Sequence, residues 1–334
     1  MPFAMLIRIP RGWELPEQDI TPESVYRSRH ATAFGTHTRH GGRRGFLRAA
    51  TACLGGVAAG LSRALSSSAA AWGEALRPLD AQRNPKYRVE GRAITPESIT
   101  AHFNNFYEFT TDKQRVAELA ERFQSRPWQI EVRGLVEKPL KIDVDDLLKR
   151  FPLEERVYRL RCVEAWSIVV PWAGFPLAKF VEWVRPTAQA KYLRMVSFLR
   201  PGQAPGQREM TYYPWPYFEG LRLDEATNEL AMLVVGSYGH VLPNQNGSPL
   251  RLITPWKYGY KSIKSITLFE LTEKRPPTFW NTVVPREYDF LSNVNPAVPH
   301  PRWSQATEED VGRGRRIATM PYNGYAEYVA HLYK

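Results

Sequence analysis

The 334-residue chain is predicted to fold as an α+β domain of mixed sheets and short helices. Helical and strand patterns are interleaved without strict strand–helix–strand alternation, which argues against a doubly wound parallel sheet. No Pro/Gly/Ser-rich linker or internal repeat breaks the chain after residue 71, so residues 72–334 are expected to form one domain. The composition, 43% hydrophobic and 24% charged, is that of a globular protein and excludes wholesale disorder.

Residues 1–71 carry an export signal. Gly42-Arg43-Arg44-Gly45-Phe46-Leu47 holds a twin arginine, an Ala/Gly-rich uncharged stretch runs from Ala49 to Ser62, and Ala69-Ala70-Ala71 offers a small-residue cleavage site. The apolar stretch is too short to span a bilayer. The twin arginine points to the Tat route, cleavage near Ala71 and a soluble periplasmic product. Residues 1–41 form a long polar leader with Pro10, Pro16 and Pro22. Tat substrates cross folded, which suggests a cofactor inserted before export.

Residues 72–98 are expected to run as an extended arm. Asp112 is placed to cap a helix through Phe123, with Val116, Leu119, Ala120 and Phe123 at helical spacing. Trp128, Ile130 and Val132 alternate with polar residues as a half-buried strand does, and Gly134 closes it. Asp143 is expected to cap a short helix from Val144 to Phe151. In the strand over 154–163, Val157, Arg159, Arg161 and Val163 share one face, and Tyr158, Leu160 and Cys162 the other. The following Trp, Pro and Gly residues, through Pro176, suggest a stiff loop beside the thiol. Leu177, Phe180, Val181 and Val184 make one helix face. Strands are expected near 192–199, 230–235, 250–254 and 263–271, with turn signals at Gly236 and Asn246-Gly247.

The net charge is +11, but the first 71 residues hold nine Arg against four acidic residues. The remainder carries 36 basic and 30 acidic residues without a Lys/Arg run, so no nucleic-acid partner is expected. Of the two cysteines, Cys53 lies in the signal, leaving Cys162 alone in an oxidising compartment. Such a thiol is either a small buried apolar side chain or a reactive group or metal ligand. Arg159 and Arg161 neighbour it in sequence but point to the other strand face, which limits their effect on its pKa. Zinc is disfavoured: one cysteine and His102, His240, His300 and His331 show no ligand spacing. A lone thiolate suits a metal whose other ligands come from a cofactor.

Phe103-Asn104-Asn105-Phe106-Tyr107-Glu108-Phe109, Arg161-Cys162-Val163-Glu164-Ala165-Trp166-Ser167 and Trp256-Lys257-Tyr258-Gly259-Tyr260-Lys261-Ser262-Ile263-Lys264 carry a resemblance. Asn293-Val294-Asn295-Pro296 and the run from His300 to Thr307 support it. Together they resemble the catalytic subunit of the bacterial protein-methionine-sulfoxide reductases, almost end to end. The resemblance implies a sulfite-oxidase-type molybdopterin-binding fold and one mononuclear molybdenum–molybdopterin with Cys162 as protein ligand. It places cofactor contacts on Asn104, Tyr107, Glu108, Ser197, Asn246, Arg251, Ser262, Ile263 and Lys264. The chain departs from the family pattern at Ser197, where threonine is usual, and at Ser262, where glycine is. The chemistry suits these residues: a pterin needs amide, carboxylate and backbone partners, and its phosphate needs cations and hydroxyls. The expected activity is reduction of methionine sulfoxide in oxidised periplasmic proteins, with electrons from the quinone pool through a membrane-embedded haem subunit. A sulfite-oxidising relative, a cysteine hydrolase and a non-enzymatic periplasmic binding protein are the alternatives.

Overall fold

A computed structural model describes residues 77–334, all within one unit, Leu65–Lys334. The twin arginine, the apolar stretch, Cys53, the cleavage site and the first residues of the arm lie outside the described residues. Among the described residues there are thirteen strands: β1 Gln82–Arg83, β2 Gln129–Gly134, β3 Leu140–Asp143, β4 Glu154–Cys162, β5 Trp166–Pro176, β6 Tyr192–Ser197, β7 Phe218–Arg222, β8 Met232–Ser237, β9 His240–Val241, β10 Arg251–Ile253, β11 Ile266–Thr272, β12 Thr307–Asp310 and β13 Arg315–Ala318.

They form two mixed sheets with short helices, as the α+β expectation requires. The first sheet runs β1-β4-β5-β12-β13, with β8 also on β5 and carrying β9 and β10. The second runs β3-β2-β11-β6-β7. Strands β4 and β5 are buried along nearly their whole length, so both of their faces are covered. In the second sheet β2 alternates buried Ile130 and Val132 with more exposed Gln129, Glu131 and Arg133. Its outer face carries cross-strand ion pairs such as Arg133–Glu270 and Arg194–Glu270. The helix Leu177–Val184 buries the four residues its spacing predicts, and Phe180 packs on Phe269 of β11 at 4.4 Å between ring centroids.

Several local expectations are corrected. Residues Trp166–Pro176 are a strand, not a loop. Ile168, Val169, Val170 and Trp172 are strong strand formers. Pro171 is tolerated because its partner Val157 sends its N–H to Tyr87 O instead of across to β5. The helix expected from Asp112 is Val116–Ala120. The Asp112 carboxylate accepts from the N–H of Gln114 at 3.0 Å, a local turn that competes with helix entry. Asp143 does cap its helix, accepting from the N–H of Asp145, but that helix stops at Leu148. Gly236 lies inside β8, where a Cβ would meet Leu79 and the His240 carbonyl, and the turn follows at Tyr238-Gly239. Strand β11 starts at Ile266, after Ser265 turns the chain with φ 49°.

Candidate active site

Three segments converge on one cleft: the loop 103–109, the turn between β4 and β5, and the loops flanking β10. The cleft encloses about 1020 Å³ of unfilled space, part of it open to solvent.

Cys162 ends β4 and pairs in register with Trp166, leaving a three-residue loop, Val163-Glu164-Ala165. Such hairpins place their last loop residue in the left-handed region, and Ala165 has φ 62°. The turn is held from behind. The Arg161 guanidinium donates to the Cys162 carbonyl, and Trp303 Nε1 and Gln305 Nε2 donate to Val163 O at 2.8 and 2.7 Å. Gly259 brings the third segment against β4: a Cβ there would sit 3.5 Å from Arg161 O and 3.8 Å from Cys162 Cα.

The thiol is 7% exposed. Asn105 Nδ2 donates to Sγ at 3.3 Å and to Glu164 Oε2 at 3.0 Å, and the Glu164 N–H approaches Sγ at 3.4 Å. Burial pushes the thiol up to about 12. The Glu164 charge adds to this, while the Glu164 N–H, Lys113 and Arg161 only partly oppose it. The neighbouring arginines therefore do not activate the cysteine, as its strand face implies. Burial acts to raise Glu164 too, but Lys113 at 2.9 Å and hydrogen bonds from Asn105 and Trp166 outweigh it and hold the carboxyl below its ordinary value. A free thiol of this kind is a poor nucleophile. As a metal ligand it is deprotonated by the metal itself.

Arg251 is 3% exposed. Its Nη1 donates to Asn246 O at 2.7 Å, its plane lies 5.0 Å from the Trp172 ring centre, and its Nε has no partner among the described residues. Burial alone pushes it down to about 9. A guanidinium keeps its proton in a protein, so the shift marks a buried charge lacking an anion. Lys264 donates to Asn105 O at 2.7 Å and forms no ion pair among the described residues. Burial and the Arg251 charge lower its pKa, with Glu108 and Cys162 opposing at longer range. Burial raises the Glu108 carboxyl. Gly247, at φ 98°, lets the Lys264 stem pass: a Cβ would meet Lys264 Cβ at 2.8 Å.

Of the predicted residues, Asn104, Tyr107, Glu108, Cys162, Asn246, Arg251, Ser262, Ile263 and Lys264 line the cleft. Ser197 does not line it. Its hydroxyl donates to Lys264 O at 2.8 Å, so it holds the wall from behind. Sequence reasoning passed over Asn105, Lys113 and Glu164 as site residues, although two of them stand within quoted motifs. It also missed the aromatic pair Trp280 and Tyr288 in the cleft wall.

The residues fit a molybdopterin. Two cations without ion-pair partners can take its phosphate, the orphaned Asn246 Oδ1 can accept from a pterin amine, and one thiol can ligate the metal. Among the described residues no three His, Cys, Asp or Glu side chains group as metal ligands, so the remaining donors fall to the cofactor.

An oxidoreductase molybdopterin-binding domain family matches residues 117–280. The protein-methionine-sulfoxide reductase catalytic subunit MsrP of Burkholderia mallei is 46% identical over 327 residues, 97% of this chain and 94% of that protein. Among solved structures, the sulfane dehydrogenase SoxCD of Paracoccus pantotrophus is 18% identical with a TM-score of 0.39, covering 46% of this chain and 40% of that one. A cleft built for a molybdopterin, in a chain so alike over nearly its whole length, leads to one conclusion: the chain belongs to the protein-methionine-sulfoxide reductase catalytic-subunit family and binds a molybdenum–molybdopterin.

Proposed function

We propose that this chain reduces methionine sulfoxide residues of oxidised proteins in the periplasm, after export by the Tat route. The single observation that carries this reading is the cleft where Cys162 faces two cations lacking ion-pair partners, in a chain 46% identical to a protein-methionine-sulfoxide reductase subunit. The reaction takes a sulfoxide, two electrons and two protons to a thioether and water. When bound, the cofactor supplies the two-electron oxygen-atom chemistry.

The protein supplies position. Cys162 ligates the metal from a turn gripped at two successive carbonyls. Arg251 and Lys264 hold the anionic end of the cofactor, and Asn104, Asn246 and Ser262 meet its polar edge. The rings of Tyr107, Trp280 and Tyr288 form an aromatic part of the cleft wall. Electrons come from a partner, since the chain's only cysteines are Cys53 and Cys162 and no relay is built from them. We assign that role to a membrane-embedded haem subunit drawing on the quinone pool. No helix among the described residues is long and apolar enough to cross a membrane.

A cysteine hydrolase needs a histidine beside the thiol, and no histidine lines the cleft. The test is a direct assay of the purified, cofactor-loaded chain with a reduced dye as donor, scoring methionine sulfoxide reduction beside sulfite oxidation. Reduction without sulfite oxidation is expected. Sulfite oxidation alone would overturn the assignment.

A further inference from the structure

Four tyrosines line the cleft: Tyr107, Tyr217, Tyr260 and Tyr288. Two are spent within the fold. Tyr217 donates to Tyr260 O at 2.7 Å, and Tyr260 pairs with Ser292. The hydroxyls of Tyr107 and Tyr288 find no hydrogen-bond partner among the described residues. Tyr288 is only 8% exposed as a residue, yet its hydroxyl is not among the buried polar atoms left without a partner, so it opens onto the cleft, where a ligand can reach it.

Tyr288 is also the better braced of the two. Its ring lies 5.3 Å from Trp280, 5.2 Å from Tyr260 and 5.5 Å from His300, centroid to centroid. His300 stacks on Trp303 at 3.8 Å, and Trp303 donates to Val163 O in the Cys162 turn. The run from His300 to Trp303 thus ties the position of Tyr288 to that of the metal ligand. Trp280, half-buried, meets Tyr107, Tyr213 and Tyr288 and presents an aromatic shelf beside the free hydroxyl.

A sulfoxide group needs these two features together. Its oxygen accepts hydrogen bonds and donates none. Its sulfur and methyl group are polarizable and pack well on aromatic rings. With Arg251 and Lys264 given to the anionic end of the cofactor, the sulfoxide oxygen is left to a neutral donor. We propose that Tyr288 contacts the substrate, its hydroxyl donating to the sulfoxide oxygen while the S-methyl group lies against Trp280. This inference rests on the sulfoxide-reductase reading above. Tyr107, which the resemblance assigns to the cofactor, is the natural control.

The experiment compares cofactor-loaded wild type, Tyr288→Phe and Tyr107→Phe. The probes are N-acetylmethionine sulfoxide amide as substrate and N-acetylmethionine amide, which lacks the oxygen, as inhibitor. Tyr288→Phe is expected to keep the wild-type molybdenum content and melting temperature, to lose about tenfold in kcat/KM, as for one neutral hydrogen bond, and to keep the inhibitor constant of the thioether. Tyr107→Phe is expected to lower molybdenum content. A wild type that reduces the sulfoxide beside a Tyr288→Phe within twofold of it would overturn the inference and leave the proposed function standing. Loss of molybdenum from Tyr288→Phe would overturn it too, by moving the residue to the cofactor. A wild type that reduces no sulfoxide would remove the proposed function and the inference with it.

Discussion

Lys257 and Lys264 stand seven residues apart in one sequence run, and their surroundings are opposite. Lys257 is fully buried and saturated: its ammonium donates to Glu225 at 2.6 Å, Leu291 O at 2.6 Å, Asn293 at 2.9 Å and Tyr333 at 3.1 Å. Lys261 repeats the pattern with Glu219 at 2.9 Å and Phe290 O at 2.5 Å. Behind the Cys162 turn, Arg161 pairs with Glu308 at 2.7 Å. Lys264 and Arg251, at the cleft, have carbonyls and rings around them but no ion pair among the described residues. The difference separates cations that complete the fold from cations that await a ligand. A paired buried charge is neutral bookkeeping for the fold, whereas an unpaired one is a standing cost that a bound anion removes.

The contrast can be broken most sharply at Lys257. Lys257→Met leaves Glu225 buried without its partner and is expected to cost about 3–5 kcal/mol in urea unfolding. A loss comparable to that of an exposed lysine would erase the distinction. Lys264→Met is the converse case. It is expected to leave the cofactor-free protein about as stable as wild type, since it removes an unpaired charge, but to lower the molybdenum retained after gel filtration. Equal retention would remove Lys264 from the site.

The pH dependence sharpens the same point. Burial depresses Lys264 below the ordinary lysine value of 10.5. The unfolded chain then binds more protons between those two values, so this contribution is present above about 10.5 and is lost as pH falls toward the depressed value. Cofactor-free wild type is expected to gain about 3 kcal/mol relative to Lys264→Met between pH 7 and pH 10. Parallel pH profiles of the two proteins would contradict the unpaired charge. The smallest effect belongs to the turn between the two regions. Ala165→Gly relieves a left-handed alanine at φ 62° and is expected to raise stability by about 0.5–1 kcal/mol, read as a higher urea midpoint.

Much of this was legible in the sequence because it is local. Period-two alternation gave β2 and the two faces of β4, helical spacing gave the helix Leu177–Val184, and the resemblance gave nine residues that do line the cleft. What stayed hidden depends on partners distant in sequence. Nothing in the run from Trp256 to Lys264 distinguishes its three lysines. Glu225 and Glu219, which set two of them apart, lie on other elements. The resemblance implies a cofactor contact at Ser197, and only the fold shows that its hydroxyl donates to the Lys264 carbonyl. The Trp- and Pro-rich run after Cys162 resembled a loop because its hydrogen bonds close with β4 and β8, which no local pattern reveals.

The most direct test of the central claim is elemental analysis of the purified protein, wild type beside Cys162→Ser, with the paramagnetic resonance of the metal recorded on both. About one molybdenum per chain is expected in wild type, with an altered signal and lost turnover in Cys162→Ser, the outcome that a thiolate ligand supplied by the protein requires. Wild-type protein without molybdenum from a host that makes the cofactor, or a Cys162→Ser protein with unchanged signal and turnover, would contradict it.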